Sequence, residues 1–160
     1  MKFDVSATPG IYSLVIAIDT PIQISIGAIG LLSFLQGYYI YTGSARGRAS
    51  MNLHTRLRRH LQNTKTDHWH VDYLLRHEAT RVLNVLYFET LKDLECAVVQ
   101  SIIKDPLVHA VHKDFGASDC QNGCYSHLCQ SQHTSLKALL KYLSDVYRKF
   151  SCTHRILTPA

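Results

Sequence analysis

GIYSLVIAID at residues 10–19 and GYYIYTGSA at residues 37–45 decide the fold of this chain. Both are dense in β-branched and aromatic residues, which suit a pleated backbone better than a helix. The first run, Ile11 to Ile18, closes on Asp19-Thr20-Pro21, residues that favour a turn. The second, Tyr38 to Thr42, follows Gly37 and ends at Gly43. Between them Ile22, Ile24 and Ile26 alternate with Gln23 and Ser25, the period of a strand with one buried face. Three neighbouring strands with short links predict an antiparallel meander.

Outward from these strands the period changes from two to about four. Leu53, Leu57 and Leu61 predict a helix from Met51 to Gln62. Asp67 is placed to cap a second helix running to about His77, and Val82 to Phe88 reads as a fourth strand. Thr90-x-x-Asp93 resembles a capping box and predicts a third helix to about Lys104, stopped by Pro106. Residues 116–130 are rich in Gly, Ser, Asn and Cys and read as a loop. Ser135 to Phe150 carries one apolar stripe, Leu136, Leu139, Leu140, Leu143, Val146, Tyr147 and Phe150. No repeat or linker divides the chain. The expectation is one α+β domain over residues 1–160, with a small central antiparallel sheet of about three strands, a fourth being a candidate, flanked by helices. Its core spans about 10–130, and 131–160 form an amphipathic helix and tail.

Composition excludes disorder and low-complexity architectures. The chain has 160 residues, 46% of them apolar and 18% charged, ample for a core. The apolar stretch from Ile11 to Leu35 is broken by Asp19, Pro21, Gln23, Gly27 and Gly30, and reads as strands and not as a membrane span. Asp4 and Pro9 stand where a signal peptide needs apolar residues. Five cysteines, an odd number, argue against a secreted disulfide framework. These features predict a cytoplasmic protein with no membrane association.

Seventeen Lys and Arg against twelve Asp and Glu leave a net charge of +5, and the excess is local. Arg46, Arg48, Arg56, Arg58, Arg59 and Lys65 fall within residues 43–66, which contain no acidic residue. Such a surface attracts phosphates, although a solvated helix face has the same composition. Arg56 and His60, four apart, project from one helix face. Glu95 shares a predicted face with Leu91, Val98, Val99 and Ile102. A carboxylate among apolar neighbours must pair with a cation, bind a metal or reach a cleft. Cys120, Cys124, His127 and Cys129 form Cys-x₃-Cys-x₂-His-x-Cys, a candidate zinc set of soft ligands. The competing reading is a packed loop that turns His127 and Ser118-Asp119 toward a cleft. His68, Trp69, His70 and Asp72 make a further cluster, in which the two histidines diverge on a helix and Trp69 reads as core.

Gly10-Ile11-Tyr12 and Tyr41-Thr42-Gly43 resemble the two halves of the signature of the GIY-YIG nuclease superfamily, followed in that family's order by Arg56 and His60 in RLRRH and by Glu95. GYYIYTGSA (37–45), HWHVDYLL (68–75), Glu95-Cys96 and FGASDC…CYSHL (115–128) are similar to its uncharacterised subgroup, domain of unknown function 123, which sometimes occurs fused to an endonuclease III-like repair protein. The resemblance spans roughly residues 10–130. Thr42 replaces the Ile of the second triplet, 28 residues separate Tyr12 from Tyr41, and no Asn follows Glu95 closely, Asn122 being the downstream candidate.

The resemblance implies a metal-dependent endonuclease that hydrolyses phosphodiester bonds in DNA, in repair or processing, with a repair protein as a candidate partner. Tyr12, Tyr41, Arg56, His60 and Glu95 would be its catalytic residues. Glu95 would hold Mg²⁺ or Mn²⁺, and Arg56 would bind a phosphate oxygen. Tyr12 or Tyr41 would accept the proton of the attacking water if positive charge lowered the tyrosine pKa, with His60 as the alternative acceptor. Arg46, Arg48, Arg58, Arg59 and Lys65 would contact DNA. The rival expectations are a nucleic-acid-binding module without turnover and a structural zinc-containing interaction domain.

Overall fold

The computed structural model describes residues 3–47, 51–63 and 66–159, so Arg48 and Lys65 lie outside the described residues. In chain order it runs β1 (Gly10–Ile18), β2 (Ile22–Ile26), β3 (Gly30–Phe34), β4 (Gly37–Ala45), α1 (Leu53–Leu61), α2 (His70–Leu75) and β5 (Thr80–Glu89). There follow α3 (Glu95–Ile102), β6 (Val108–Ala110), β7 (Leu128–Ser131), α4 (Leu136–Arg148) and β8 (Arg155–Leu157). Six strands form one antiparallel sheet in the order β6-β7-β4-β1-β5-β8.

β1 is the axis of this sheet, and all nine of its residues are buried. Tyr12, Leu14, Ile16 and Ile18 face a core shared with Leu53 and Leu57 of α1 and with Val71 and Leu74 of α2. Ile11 and Val15 face the opposite core, closed by Val98, Val99 and Ile102 of α3 and by Leu139, Leu143 and Val146 of α4. A strand covered on both faces needs an unbroken apolar run, which is why residues 11–18 do not alternate. Each large aliphatic side chain so enclosed contributes about 1.5–3 kcal/mol by leaving water.

Four sequence-based expectations are corrected by this arrangement. The sheet has six strands, and the expected meander is interrupted: β2 pairs with β3 in a separate two-stranded hairpin, while β1 pairs directly with β4. The alternating Ile22–Ile26 segment has only one face to bury, so it does not compete for a place beside β1. Second, α3 begins at Glu95, five residues later than Thr90 suggested. The Thr90 hydroxyl accepts from the Lys92 N–H instead, and Leu91 is left 88% exposed. Third, α2 begins at His70. Asp67 pairs with Arg76 at 2.6 Å, and Asp72 reaches back to the Trp69 N–H in the capping role. Fourth, β7 lies partly within the stretch read as loop. α4 follows its stripe, with Ser135 capping the Ala138 N–H. No described helix is long and apolar enough to cross a membrane.

A buried hydroxyl chain ties α4 to the sheet: Tyr147 donates to Ser13 Oγ at 2.6 Å, and Ser13 bonds Thr42 Oγ1 at 2.8 Å. Tyr147→Phe retains the edge-on contact with Phe88 but removes the donor. We expect a loss of about 1 kcal/mol in urea unfolding, with a lower midpoint and an unchanged slope. An unchanged midpoint would mean that the chain carries no stability.

Candidate functional site

The register of β1 against β4 sets Tyr12 opposite Gly43, and the Tyr12 ring lies across that glycine. A Cβ at position 43 would stand 2.5 Å from Tyr12 Oη, so a side chain there would displace the phenol. Gly116, at φ 67°, brings the β6–β7 loop against Tyr41 in the same way, with 2.7 Å between a notional Cβ and Cε2 of the ring. His70 Nδ1 accepts the Gly116 N–H at 2.9 Å and anchors the loop. His70 and His68 thus share no ligand role: His68 packs edge-on against Trp69.

Tyr12, 1% exposed, hydrogen-bonds through its hydroxyl to His60 Nε2 at 2.8 Å. His60 Nδ1 lies 3.9 Å from Asp72 Oδ1, too far for a hydrogen bond but close enough for the carboxylate to act on the ring. Asp72 itself is fully buried, and its Oδ2 accepts from the backbone of His68 and Trp69 and from Arg59. Burial opposes its charge, but these donors outweigh burial and hold its pKa below the usual 3.8. Burial pushes the Tyr12 phenol well above the normal tyrosine value, and Arg56 draws it back only in part. Tyr41 is raised by burial and then by neighbouring Tyr12. The expected acidification of a tyrosine by positive charge is therefore reversed, because desolvation dominates.

Arg56 and Arg59, on successive exposures of α1, both lie over the Trp69 indole, with guanidinium carbons 4.5 and 4.9 Å from the ring centroid. Trp69, read as core, is instead a platform for two cations as well as a core contact. Arg59 is bound to Asp72 at 2.8 Å and Arg46 to Asp93 at 2.8 Å, so two of the expected DNA contacts are paired within the protein. Arg58 is exposed. Arg56 Nε is buried and has no hydrogen-bond partner among the described residues.

Glu95 occupies the first turn of α3, on the opposite face of the sheet from α1. Its carboxylate nevertheless enters the same cleft as Arg56, because the helix begins beside the end of β4. Ser44 of β4 donates to Oε2 at 2.7 Å, and His127 Nδ1 lies 2.7 Å from Oε1. Burial disfavours charge on His127, but the Glu95 carboxylate outweighs it and raises the pKa to about 9. The cleft, of about 460 Å³, is lined by Arg46, Arg56, Asp93 and Glu95, with Asp119, Asn122 and His127 on the loop side. Tyr12, Tyr41 and His60 do not line it. All three are buried, and His60 lines a separate cavity with Leu61, Leu75 and Asn84.

Beside Glu95 a cluster forms from Cys96, Cys120, Cys124 and His127, whose ligand atoms all lie within 4.8 Å of one another. These four soft donors could hold a metal ion and suit zinc better than magnesium. Cys129, expected in the set, is excluded from it. His127 precedes β7, whereas Cys129 lies within it and is buried in the core closed by α3 and α4. Cys96 takes its place. Its adjacency to Glu95 was visible in the sequence, but the contact across 24 positions was not. Burial and the Cys120 thiol push Cys96 up to about 12. Cys120 falls to about 6, burial being outweighed by the Cys124 N–H and the Cys96 thiol donating to its thiolate.

This is an α+β domain with an Arg–carboxylate cleft at one end of its sheet and a thiol–imidazole cluster on the cleft wall. The chain matches the family model described as Domain of unknown function DUF123 over residues 11–151, and it belongs to that family. No curated protein and no solved structure matches it.

The Asp72 anchor generates a pH-dependent prediction. A carboxylate whose folded pKa lies below 3.8 contributes stability that is complete above that value and is lost as pH falls through the folded pKa. Asp72→Asn should cost about 2 kcal/mol at pH 7 and flatten the loss of stability below about pH 4. Parallel stability–pH curves for the two proteins in chemical denaturation would remove Asp72 from this role.

Proposed function

We propose that the protein is a divalent-metal-dependent endonuclease that hydrolyses phosphodiester bonds in DNA, with a fold of the GIY-YIG nuclease kind. The observation that carries this reading is that Arg56 lines the cleft that Glu95 enters from the other side of the sheet. A planar guanidinium suits phosphate, and its charge attracts an anionic oxygen from a ligand. Glu95, Asp93 and Asp119 bring carboxylates to the same space, and Asn122 an amide, a hard oxygen set that fits Mg²⁺ or Mn²⁺. When bound, such a cation supplies charge stabilisation to the phosphate and the departing oxygen.

The side chains divide the remaining work. Arg56, with its guanidinium carbon 4.5 Å from the Trp69 ring centroid, donates to a non-bridging oxygen. Ser44 and His127 fix the orientation of Glu95. Tyr12 stays protonated at neutral pH, so it serves as a relay: once substrate binding brings the water to its buried hydroxyl, it takes the water's proton as its own passes to His60 Nε2. Asp72 favours the charge that His60 then carries. Arg58, with Arg48 and Lys65, supplies sequence-independent attraction for the DNA backbone. The burial of both tyrosine hydroxyls favours the second reading, a module that binds DNA without cleaving it.

A nicking assay over single-stranded, nicked, flapped and branched DNA, with Mg²⁺ or Mn²⁺, separates the two. We expect cleavage that falls by about 10²-fold or more in Glu95→Gln and Arg56→Ala, while low-salt DNA binding by Glu95→Gln stays within a few-fold of the parent. Tyr12→Phe and His60→Ala should each lower the rate and alter its pH profile. Salt-sensitive binding without nicks would select the binding module. Cleavage unaffected by Glu95→Gln would remove this site from the chemistry.

A further inference from the structure

We propose that Cys96, Cys120, Cys124 and His127 bind one structural zinc ion, and that through His127 this zinc site holds the Glu95 carboxylate in its place at the cleft. Cys96 is in the first turn of α3, and the other three ligands come from the loop that leads into β7. Cys96 Sγ lies 3.2 Å from Cys120 Sγ and 3.5 Å from His127 Nε2. Zinc–sulfur bonds of about 2.3 Å and zinc–nitrogen bonds of about 2.0 Å put tetrahedral ligands roughly 3.5–3.8 Å apart. With all four ligand atoms within 4.8 Å of one another, the cluster closes on the ion with shifts of no more than about 1 Å. Three thiolates and an imidazole discriminate against Mg²⁺ and Ca²⁺, and four protein ligands leave no open position, the pattern of a structural site.

The surroundings are those of a metal ligand set. His127 turns Nε2 toward the thiols and Nδ1 toward Glu95 Oε1, 2.7 Å away. With Nδ1 turned to the carboxylate, Nε2 is the nitrogen left for the ion, and a proton on Nδ1 would complete the carboxylate–histidine–zinc arrangement that fixes the ring and strengthens the ligand. Gln100, one turn beyond Cys96 in α3, directs its amide N–H at Cys124 Sγ, 3.6 Å away. Between β6 and β7 the chain runs from Val111 to His127 without helix or strand. Phe115, Ala117 and the Gly116–His70 hydrogen bond anchor the start of this loop, and its cysteine segment calls for a tether to α3. A zinc joining Cys120, Cys124 and His127 to α3 supplies that tether.

The zinc itself stands apart from the nuclease reading, whereas the catalytic meaning of the Glu95 contact rests on it. The test is metal analysis of the full chain purified under reducing conditions without chelator, together with Co²⁺ reconstitution. One zinc per chain is expected. In the cobalt form, intense tetrahedral d–d bands and thiolate charge transfer are expected. Cys120→Ser and Cys124→Ser should weaken zinc binding at least 100-fold in chelator competition, and Cys152→Ser should leave it unchanged. Glu95→Gln should keep one zinc per chain but weaken its binding 10–100-fold. Absence of zinc together with an octahedral Co²⁺ spectrum, or a Cys96–Cys120 disulfide in the reduced preparation, would overturn the proposal. Unchanged zinc affinity in Glu95→Gln would overturn the coupling. Because the cobalt spectrum of the unsubstituted protein needs no cleavage, an inactive protein that binds zinc would count against the nuclease alone.

Discussion

Burial of β1 on both faces is the constraint from which the site follows. A strand that must hide Tyr12, Leu14 and Ile16 on one side and Ile11 and Val15 on the other cannot be an edge, so it takes β4 and β5 as neighbours. Pairing with β4 in a single register then fixes three things together. Tyr12 lies across Gly43, Ser44 reaches the start of α3, and Thr42 N–H bonds the His127 carbonyl at 3.0 Å. A slip of one residue would send Tyr12 to the α3–α4 side of the sheet, because side chains alternate. The apolar packing of the strand thus protects the polar geometry at its end.

Glu95 joins two regions that the sheet would otherwise separate. The helix that carries it packs against Ile11, Val15 and Leu86, away from α1, yet its first turn projects past the end of β4. At this position a carboxylate benefits from the unsatisfied N–H groups of the helix start. Its two oxygens are held by different elements, Ser44 on β4 and His127 before β7. An anchored carboxylate loses little conformational freedom when a cation or substrate arrives, and this is what a preorganised site requires.

Sequence patterning revealed the elements whose stability is local or whose apolar run is long. β1, β4, β5, α1 and α4 all lie where periodicity put them, because each carries a face that only one environment can bury. The short strands β6, β7 and β8 were not legible: three or four residues hold no period, and their pairing is decided by the edges that β4 and β5 leave open. α3 was entered too early, since Thr90 and Asp93 spend their side chains on a turn and on Arg46. For the site, Arg56 and Glu95 meet in one cleft as their order suggested, whereas Tyr12, Tyr41 and His60 are buried outside its lining. Cys96 was missed as a cluster member because spacing reveals ligands only when they are close in the chain.

The position of Arg56 has an electrostatic cause. Two guanidinium groups share the Trp69 ring, and like charges so close repel unless a counter-charge intervenes. Asp72, a fully buried carboxylate nearby, is committed to Arg59 through Oδ2, which also accepts two backbone N–H groups. Its other oxygen faces His60. Arg59 is thereby neutralised, whereas Arg56 keeps its charge; the Nε of each is buried without a hydrogen-bond partner among the described residues. The cation–π contact holds the Arg56 head in place at about 0.5–2 kcal/mol but cannot satisfy a hydrogen-bond donor. What remains at the cleft is a fixed positive group oriented by its neighbours and incompletely coordinated by them. A fixed positive group of this kind attracts anionic oxygens by Coulomb force.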